Sequence, residues 1–240
     1  MVKKRLDVLL VERGLAESRS QAQALVLAGR VEGFSKAGDQ VEEGAELEVR
    51  EGPRFVSRGG DKLAHALATF ELDAEGEDCL DIGASTGGFT DCLLQAGASR
   101  VIALDVGYGQ LHPKLRDDPR VTVLERLNVR NLRCHELPFS PSFLTCDVSF
   151  IGLAKALPAA LACAAPGWRA VVLVKPQFEA GPADVGKGGV VRDPEVRQRV
   201  LDGVVERVPG WGGRVVGVAE SPLRGPKGNR ELLLSLAAAE

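Results

Sequence analysis

From Leu6 to Leu27 the apolar residues Leu6, Leu9, Leu10, Ala24, Leu25 and Leu27 recur at helical spacings, broken by Gly14, and Ser18 stands where an N-cap is needed. Two short helices joined by a turn are predicted. Gly29 ends the second. Residues 30–34 and 40–49 then alternate polar and apolar like short strands, with a Lys36-Ala-Gly-Asp turn between them. The module closes near Arg50, Gly52-Pro53 marks a boundary, and 53–60 is a polar, basic linker with two adjacent glycines. Residues 1–52 therefore read as a small α+β domain.

Beyond the linker the pattern changes to apolar strands separated by helices. Strands are predicted at 79–82, 101–105, 122–125, 143–148, 170–174, 214–219 and 231–236, with helices at 87–96, 153–164 and 194–208. Such alternation over 61–240 implies an α/β domain. Its sheet should be largely parallel and covered on both faces, with ligands at the carboxyl ends of the strands. No internal repeat or low-complexity segment interrupts it.

Composition narrows the class. Of 240 residues, 45% are hydrophobic and 26% charged, ordinary for a folded protein and incompatible with wholesale disorder. The five cysteines make an odd count without a C-x-x-C pair, which argues against a disulfide framework or a zinc site and points to a reducing compartment. Basic residues open the chain, but no apolar signal-peptide core follows them and no apolar run is long enough to span a bilayer. A cytoplasmic protein that does not engage membranes is expected. One Met, three Asn and seven Gln is a depletion of labile side chains that fits a heat-adapted source, and equally a compositional bias.

The net charge of −3 by itself speaks against nucleic-acid binding. Its distribution matters more. Residues 1–30 carry six Lys/Arg against three acids, whereas 31–52 carry two against seven. A charged face on a small module follows.

The most informative stretch is Asp81-Ile-Gly-Ala-Ser-Thr-Gly-Gly-Phe-Thr, a strand passing through small residues into a helix. Gly83, Gly87 and Gly88 allow the turn and let a ligand approach backbone N–H groups at the helix start. Ser85 occupies the middle-glycine place of a dinucleotide fingerprint, and no Walker lysine follows. Asp105 ends the next strand, 22 residues after Gly83, where a carboxylate holds a ribose diol. An acid at Asp81 favours a cationic ligand over a phosphate. S-adenosylmethionine, with its ammonium and sulfonium, satisfies both. An incidental glycine-rich turn in another nucleotide fold accounts for this loop alone equally well.

Two further strand ends carry charge. Asp147 follows Cys146 at the fourth, and Lys175 follows Val172-Leu-Val at the fifth, both expected on the crevice of the glycine loop. Burial lowers an ammonium pKa and a neighbouring carboxylate raises it, which is how a strand-end lysine becomes useful in catalysis. Lys62 precedes the first strand of this domain and Glu231 begins the last. Taken singly, each reads as a solvated charge or an ordinary strand-end ion pair.

Lys62, Asp147, Lys175 and Glu231 nevertheless match, in order and context, the Lys-Asp-Lys-Glu tetrad of FtsJ-type ribose 2′-O-methyltransferases. More closely, Ser57-Arg-Gly-Gly-Asp-Lys-Leu, the Asp81 loop, Asp105-Val-Gly-Tyr-Gly-Gln-Leu, Asp147-Val-Ser-Phe-Ile, Val174-Lys-Pro-Gln-Phe-Glu and Ser221-Pro-Leu-Arg-Gly-Pro-Lys-Gly-Asn-Arg-Glu together resemble the TlyA family, also labelled haemolysin A. The resemblance spans nearly the whole chain. It implies a Rossmann-like S-adenosylmethionine-dependent methyltransferase domain and transfer to a ribose 2′-hydroxyl in ribosomal RNA, with ribosomal subunits as partners and no metal.

On this basis Asp81, Gly83, Ala84, Ser85, Thr86, Gly87, Gly88, Phe89, Asp105, Asn128 and Asp147 are the expected cofactor-binding residues. Asn128 reads equally as a turn cap. Lys175, held by Asp147 and Glu231, is expected to steer or deprotonate the hydroxyl, with Lys62 alongside to stabilise negative charge. Residues 5–31 also resemble the RNA-binding module of the ribosomal-protein-S-four type. That resemblance implies phosphate contacts from Lys4, Arg5, Arg19, Ser20 and Arg30. Between Gly29 and Lys36 the chain is shorter than the usual hairpin of that module.

Three rival readings are weaker. A membrane-active haemolysin lacks a spanning run and a strongly cationic amphipathic helix. A non-catalytic RNA-binding scaffold sits poorly with an intact tetrad, and a base methyltransferase with Asp147-Val-Ser-Phe, since Cys146 lies within a strand as a core residue. His65, His112 and His135 form no metal or triad spacing, and 5% aromatics is too few for a broad stacking platform. Shape and phosphate contacts should then dominate recognition.

Overall fold

The structure, a computed structural model, describes residues 2–50 and 52–239; the outermost positions expected for the two domains, 1 and 240, lie outside the described residues, as does 51. The chain forms two compact units divided between Arg54 and Phe55.

In the first unit β1 (Lys3–Arg5) leads into α1 (Leu6–Glu12), followed by α2 (Arg19–Leu27) and β2 (Gln40–Glu42). Ser18 caps α2 as expected, its side chain accepting the Gln21 N–H at 3.2 Å. The buried stripe of α2 is Ala22, Leu25 and Val26, packed with Leu6, Leu9 and Leu10. Leu27, included in the predicted stripe, is instead 88% exposed, because positions i, i+3 and i+4 already fill the face that meets α1. The predicted hairpin is also replaced. Gln40–Glu42 pairs antiparallel with Lys3–Arg5, and Val31 meets Val49 only as an isolated bridge. A basic three-residue strand carries no alternation by which it could be foreseen.

The second unit opens with α3 (Gly59–Thr69), so the expected linker is partly structured: Phe55 is buried and Gly59-Gly60 begins a helix. A Cβ on Gly60 would lie 2.2 Å from the Phe55 ring, so glycine is what lets the helix start lie on that ring. Then follow β3 (Asp78–Ile82), α4 (Gly88–Gln95), β4 (Arg100–Leu104), α5 (Pro113–Arg116), β5 (Val121–Leu124), β6 (Phe143–Cys146), α6 (Leu153–Leu161), β7 (Arg169–Val174), α7 (Pro176–Glu179), α8 (Pro194–Val205), β8 (Gly213–Glu220) and β9 (Leu232–Ala238).

The seven strands lie in the order β5-β4-β3-β6-β7-β9-β8. Pairings from β5 to β7 are parallel, and those of β7 with β9 and β8 with β9 are antiparallel. Only β9 runs against the other strands, because a loop, not a crossover helix, joins it to β8. Strand alternation splits the core into two layers. Leu80, Ile82, Leu144, Val172 and Val174 pack toward α6 and α8, while Cys79, Phe143, Val171 and Leu173 pack toward α3 and α4.

The odd cysteine count, read above as an argument against a disulfide framework, coexists with one bridge. Cys134, in a short 3-10 turn, forms a disulfide with Cys163 just beyond α6, while Cys79, Cys92 and Cys146 are buried thiols. An odd count excludes a complete framework, not one bridge, and a separation of 29 residues says nothing about proximity in space. Thiol titration of the denatured, unreduced protein should accordingly find three groups, and Cys134→Ser should lower unfolding stability by about 2–4 kcal/mol. Five groups and an unchanged urea midpoint would remove the bridge.

Candidate functional site

The sheet places its chemistry at one edge. Counting outward from β3, the chain runs to β4 and β5 on one side and to β6 and β7 on the other, so the crevice opens between the carboxyl ends of β3 and β6. Gly83 follows β3 there with φ +83°, and a Cβ on it would lie 2.8 Å from the Asp147 carbonyl oxygen after β6. Only glycine permits both the dihedral and the approach. Lys175 follows β7 at the same edge. Because β9 runs antiparallel, with Leu232 opposite Val174, its first end arrives beside Lys175 and delivers Glu231 to this edge too.

Two adjoining cavities result. One, of about 280 Å³, is walled by Lys62, Asp147, Ser149 and Lys175 together with the glycine loop, including Ala84, Thr86, Gly88 and Phe89. The other, of about 490 Å³, is lined by Asp105, Asn128, Val106, Leu127, Val129 and Ile151 among others. Gly83, Ser85, Asp147 and Ser149 border both, so one thin wall separates two occupants. Gly87 lies behind the loop, where a Cβ would meet Leu115 Cδ1 at 2.2 Å.

The tetrad converges as two pairs. Lys175 Nζ lies 2.5 Å from Asp147 Oδ1 and donates to Ser149 Oγ at 3.0 Å. Lys62 Nζ lies 2.5 Å from Glu231 Oε2. Glu231 was expected to hold Lys175 and is instead bound to Lys62, since α3 brings Lys62 over the start of β9. All four are largely buried, and Glu231 is 2% exposed. A Cβ on Gly225 would lie 2.6 Å from Glu231 Oε1, so the 221–231 loop passes directly over the carboxylate. Ser149, Ser57, Arg58 and Arg224 also line the first cavity without having been singled out. Their motifs were visible in the sequence, but nothing local assigned them a direction.

The second cavity fits an adenosyl group. Asp105 fixes the loop by accepting the Ser85 and Gly107 N–H groups at 2.8 and 2.6 Å, leaving its carboxylate on the cavity wall. Asn128 both lines the cavity and caps a short turn, accepting the Arg130 N–H at 3.1 Å. In such a group the ribose or the cation would face Asp105, and the apolar lining would flank the adenine.

Asp81 stands apart from the expected ligand set. It is fully buried, lines neither cavity, and accepts the Thr90 and Thr145 hydroxyls at 2.7 and 3.0 Å. Burial pushes its carboxyl up to about 6 despite those hydrogen bonds. Its place is beneath the loop, tying β3 to α4 and β6.

In the first unit the basic residues are already engaged. Asp7 is buried and receives Arg5, Arg19 and Gln23, and the Arg5 guanidinium leads in holding its carboxyl well below the usual range. Lys4 bridges Glu12 and Glu43, both at 2.8 Å, and Arg30 donates to the Arg50 carbonyl. Ser20 and Arg30 have no acidic partner among the described residues.

Residues 55–238 match the FtsJ-like methyltransferase model and residues 4–32 the S4 domain model. The chain is 48% identical over 238 residues to the 16S/23S rRNA (cytidine-2'-O)-methyltransferase TlyA of Mycobacterium tuberculosis, covering 97% of this chain and 89% of that one. The chain belongs to the TlyA family.

A solved structure from Streptococcus thermophilus, described as a hemolysin, superposes with a TM-score of 0.77 at 44% identity, over 100% of this chain and 90% of that one. Aeropyrum pernix fibrillarin, solved with S-adenosyl-L-methionine, shares the fold alone at 15% identity and a TM-score of 0.53, over 75% and 76% of the two chains. The larger unit is thus an FtsJ-like methyltransferase.

Asp81 generates a pH prediction. A carboxyl raised from 3.8 to about 6 binds its proton more tightly folded than unfolded. Its stabilising share is therefore complete below the lower value and falls as pH rises through that window. Asp81→Asn should flatten this segment of the curve of urea midpoint against pH. An identical slope in the variant would refute it.

Proposed function

We propose that the chain transfers the methyl group of S-adenosylmethionine to a ribose 2′-hydroxyl of ribosomal RNA, within the small subunit, the large subunit or both. The carrying observation is the pair of lysine–carboxylate contacts in a cavity that shares one wall with the adenosyl cavity. The 2′-O activity in the name of the mycobacterial relative supports the same reading.

When bound, S-adenosylmethionine supplies a methyl group on a positively charged sulfur. A ribose hydroxyl is a poor nucleophile, and the site must align its oxygen and remove its proton. The Lys175 ammonium, held by Asp147 and Ser149, donates a hydrogen bond to the hydroxyl oxygen and steers its lone pair toward the methyl group, and the hydroxyl proton passes to water as the oxygen is methylated. Lys62, neutralised by Glu231, presents its charge on the same cavity and stabilises the oxygen as negative charge develops. The donors are fixed before the acceptor arrives, so little reorganisation is needed during transfer.

The first unit supplies phosphate contacts that position the RNA without reading its sequence. Ser20 and Arg30 make them directly, while Lys4, Arg5 and Arg19 exchange part of their pairing with acids for pairing with phosphates. The reaction is placed in the cytoplasm, with ribosomal subunits as substrates. The haemolysin label carries no membrane mechanism here: no helix among the described residues is long and apolar enough to cross a membrane.

Tritiated-methyl incorporation into isolated subunits and into naked ribosomal RNA tests the reading. Lys175→Ala should lose on the order of 100-fold or more in transfer while calorimetry still detects S-adenosylmethionine binding. Equal incorporation by the variant would remove Lys175 from the mechanism.

A further inference from the structure

The bridge between Cys134 and Cys163 takes no part in the chemistry above, yet it joins two segments that wall the adenosyl cavity. Leu127, Asn128, Val129 and Arg130 line that cavity, and Cys134 follows them in the next 3-10 turn. Ile151 lines it as well, just before α6, and Cys163 lies just past the end of that helix.

The first of these segments is held lightly apart from the bridge. Its start is fixed where the Leu127 N–H donates to the Asp105 carbonyl at 3.2 Å. Its far end is fixed where Arg100 stacks over the Phe139 ring at 3.9 Å and the Pro141 carbonyl accepts the Ala165 N–H at 2.9 Å. Among the described residues, every backbone hydrogen bond from Asn128 to Leu137 stays inside the segment, as in Asn131 N–H to the Asn128 carbonyl and Arg133 N–H to Glu136 Oε2. What ties this stretch to α6 is the apolar contact of Val129, Leu132 and Leu137 with that helix, and the disulfide. A segment with so few directional ties opens locally once a covalent one is removed.

The two sulfurs are unequal. Cys134 is exposed, whereas Cys163 is buried. An incoming thiolate therefore reaches Cys134 Sγ first.

We propose that this disulfide is a reducible latch on the cofactor cavity, opened by a dithiol reductant, and that its reduction weakens cofactor binding. It rests on reading the second cavity as the adenosyl site. One thiolate of the reductant attacks Cys134 Sγ, the S–S bond breaks, and Cys163 leaves as a thiolate that takes a proton from water. The second thiol of the reductant then displaces Cys134 from the mixed disulfide. Two electrons and two protons pass to the protein, and the reductant departs as its own disulfide. Once released, the stretch carrying Asn128, Val129 and Arg130 samples more conformations, all but one of which the cofactor must exclude when it binds. Linkage makes the effect reciprocal: a bound cofactor opposes reduction by the same factor.

Equilibrium dialysis of the full chain against tritiated S-adenosylhomocysteine, with and without dithiothreitol, tests the latch. Reduction should raise Kd about tenfold in wild type. Cys134→Ser, shown by thermal unfolding to be folded, should bind like reduced wild type and ignore dithiothreitol, which separates the bridge from the three buried thiols. In a second measurement wild type is equilibrated across ratios of reduced to oxidised dithiothreitol, and the thiols formed are alkylated and counted by mass. Saturating S-adenosylhomocysteine should lower the equilibrium constant for reduction by the same factor that separates the two Kd values. Equal affinity in both redox states, or a dithiothreitol effect that persists in Cys134→Ser, overturns the proposal. Absence of binding in either state would sink the adenosyl reading and the latch with it.

Discussion

Two ammonium groups line one small cavity, and electrostatics permits that only because each has its own carboxylate within contact distance. An unpaired lysine buried to this degree would be strongly disfavoured, and removing one member of such a pair leaves an uncompensated charge. The rest of the catalytic unit serves to bring these four side chains together from positions 169 residues apart at the extreme. The glycines at 83 and 225 matter for the same reason. Each stands where a side chain would push a backbone segment away from Asp147 or Glu231.

The antiparallel turn at the end of the chain completes the arrangement. In a wholly parallel sheet every functional group at the crevice follows its strand, so the acid would have to come after the last strand. Reversal of β9 lets Glu231 precede its strand and still reach the crevice. Asn229 anchors the loop leading to it, accepting the Val191 N–H at 2.9 Å and donating to the Gly189 carbonyl at 2.8 Å. The loop is thereby held against the 189–191 segment while Gly225 leaves room for the carboxylate.

The small first unit handles charge differently. Its cations are tied to Asp7, Glu12 and Glu43 at or near the surface, where ion pairs exchange readily with water or with phosphate. Asp7 is the exception, buried under two guanidinium groups and an amide, and it organises the basic helical face. A module of this kind presents positive charge without scattering it. The larger unit buries its charge in close pairs, and this unit keeps its charge half-exposed.

Much was legible from residue order. Apolar runs fixed the strands at 79–82 and 170–174 because both faces of those strands are buried, and Ser18 announced its helix because an orphan N–H needs a side-chain acceptor. The glycine loop and the tetrad were visible as residue types in order, since their chemistry constrains identity. Pairing was not visible. That Glu231 binds Lys62 rather than Lys175, that Asp81 turns under the loop and that Cys134 meets Cys163 are facts of distance between remote segments. A linear sequence encodes local dihedral and solvation preferences directly, whereas which remote side chains touch is settled only when strand order, strand direction and helix packing close the same volume.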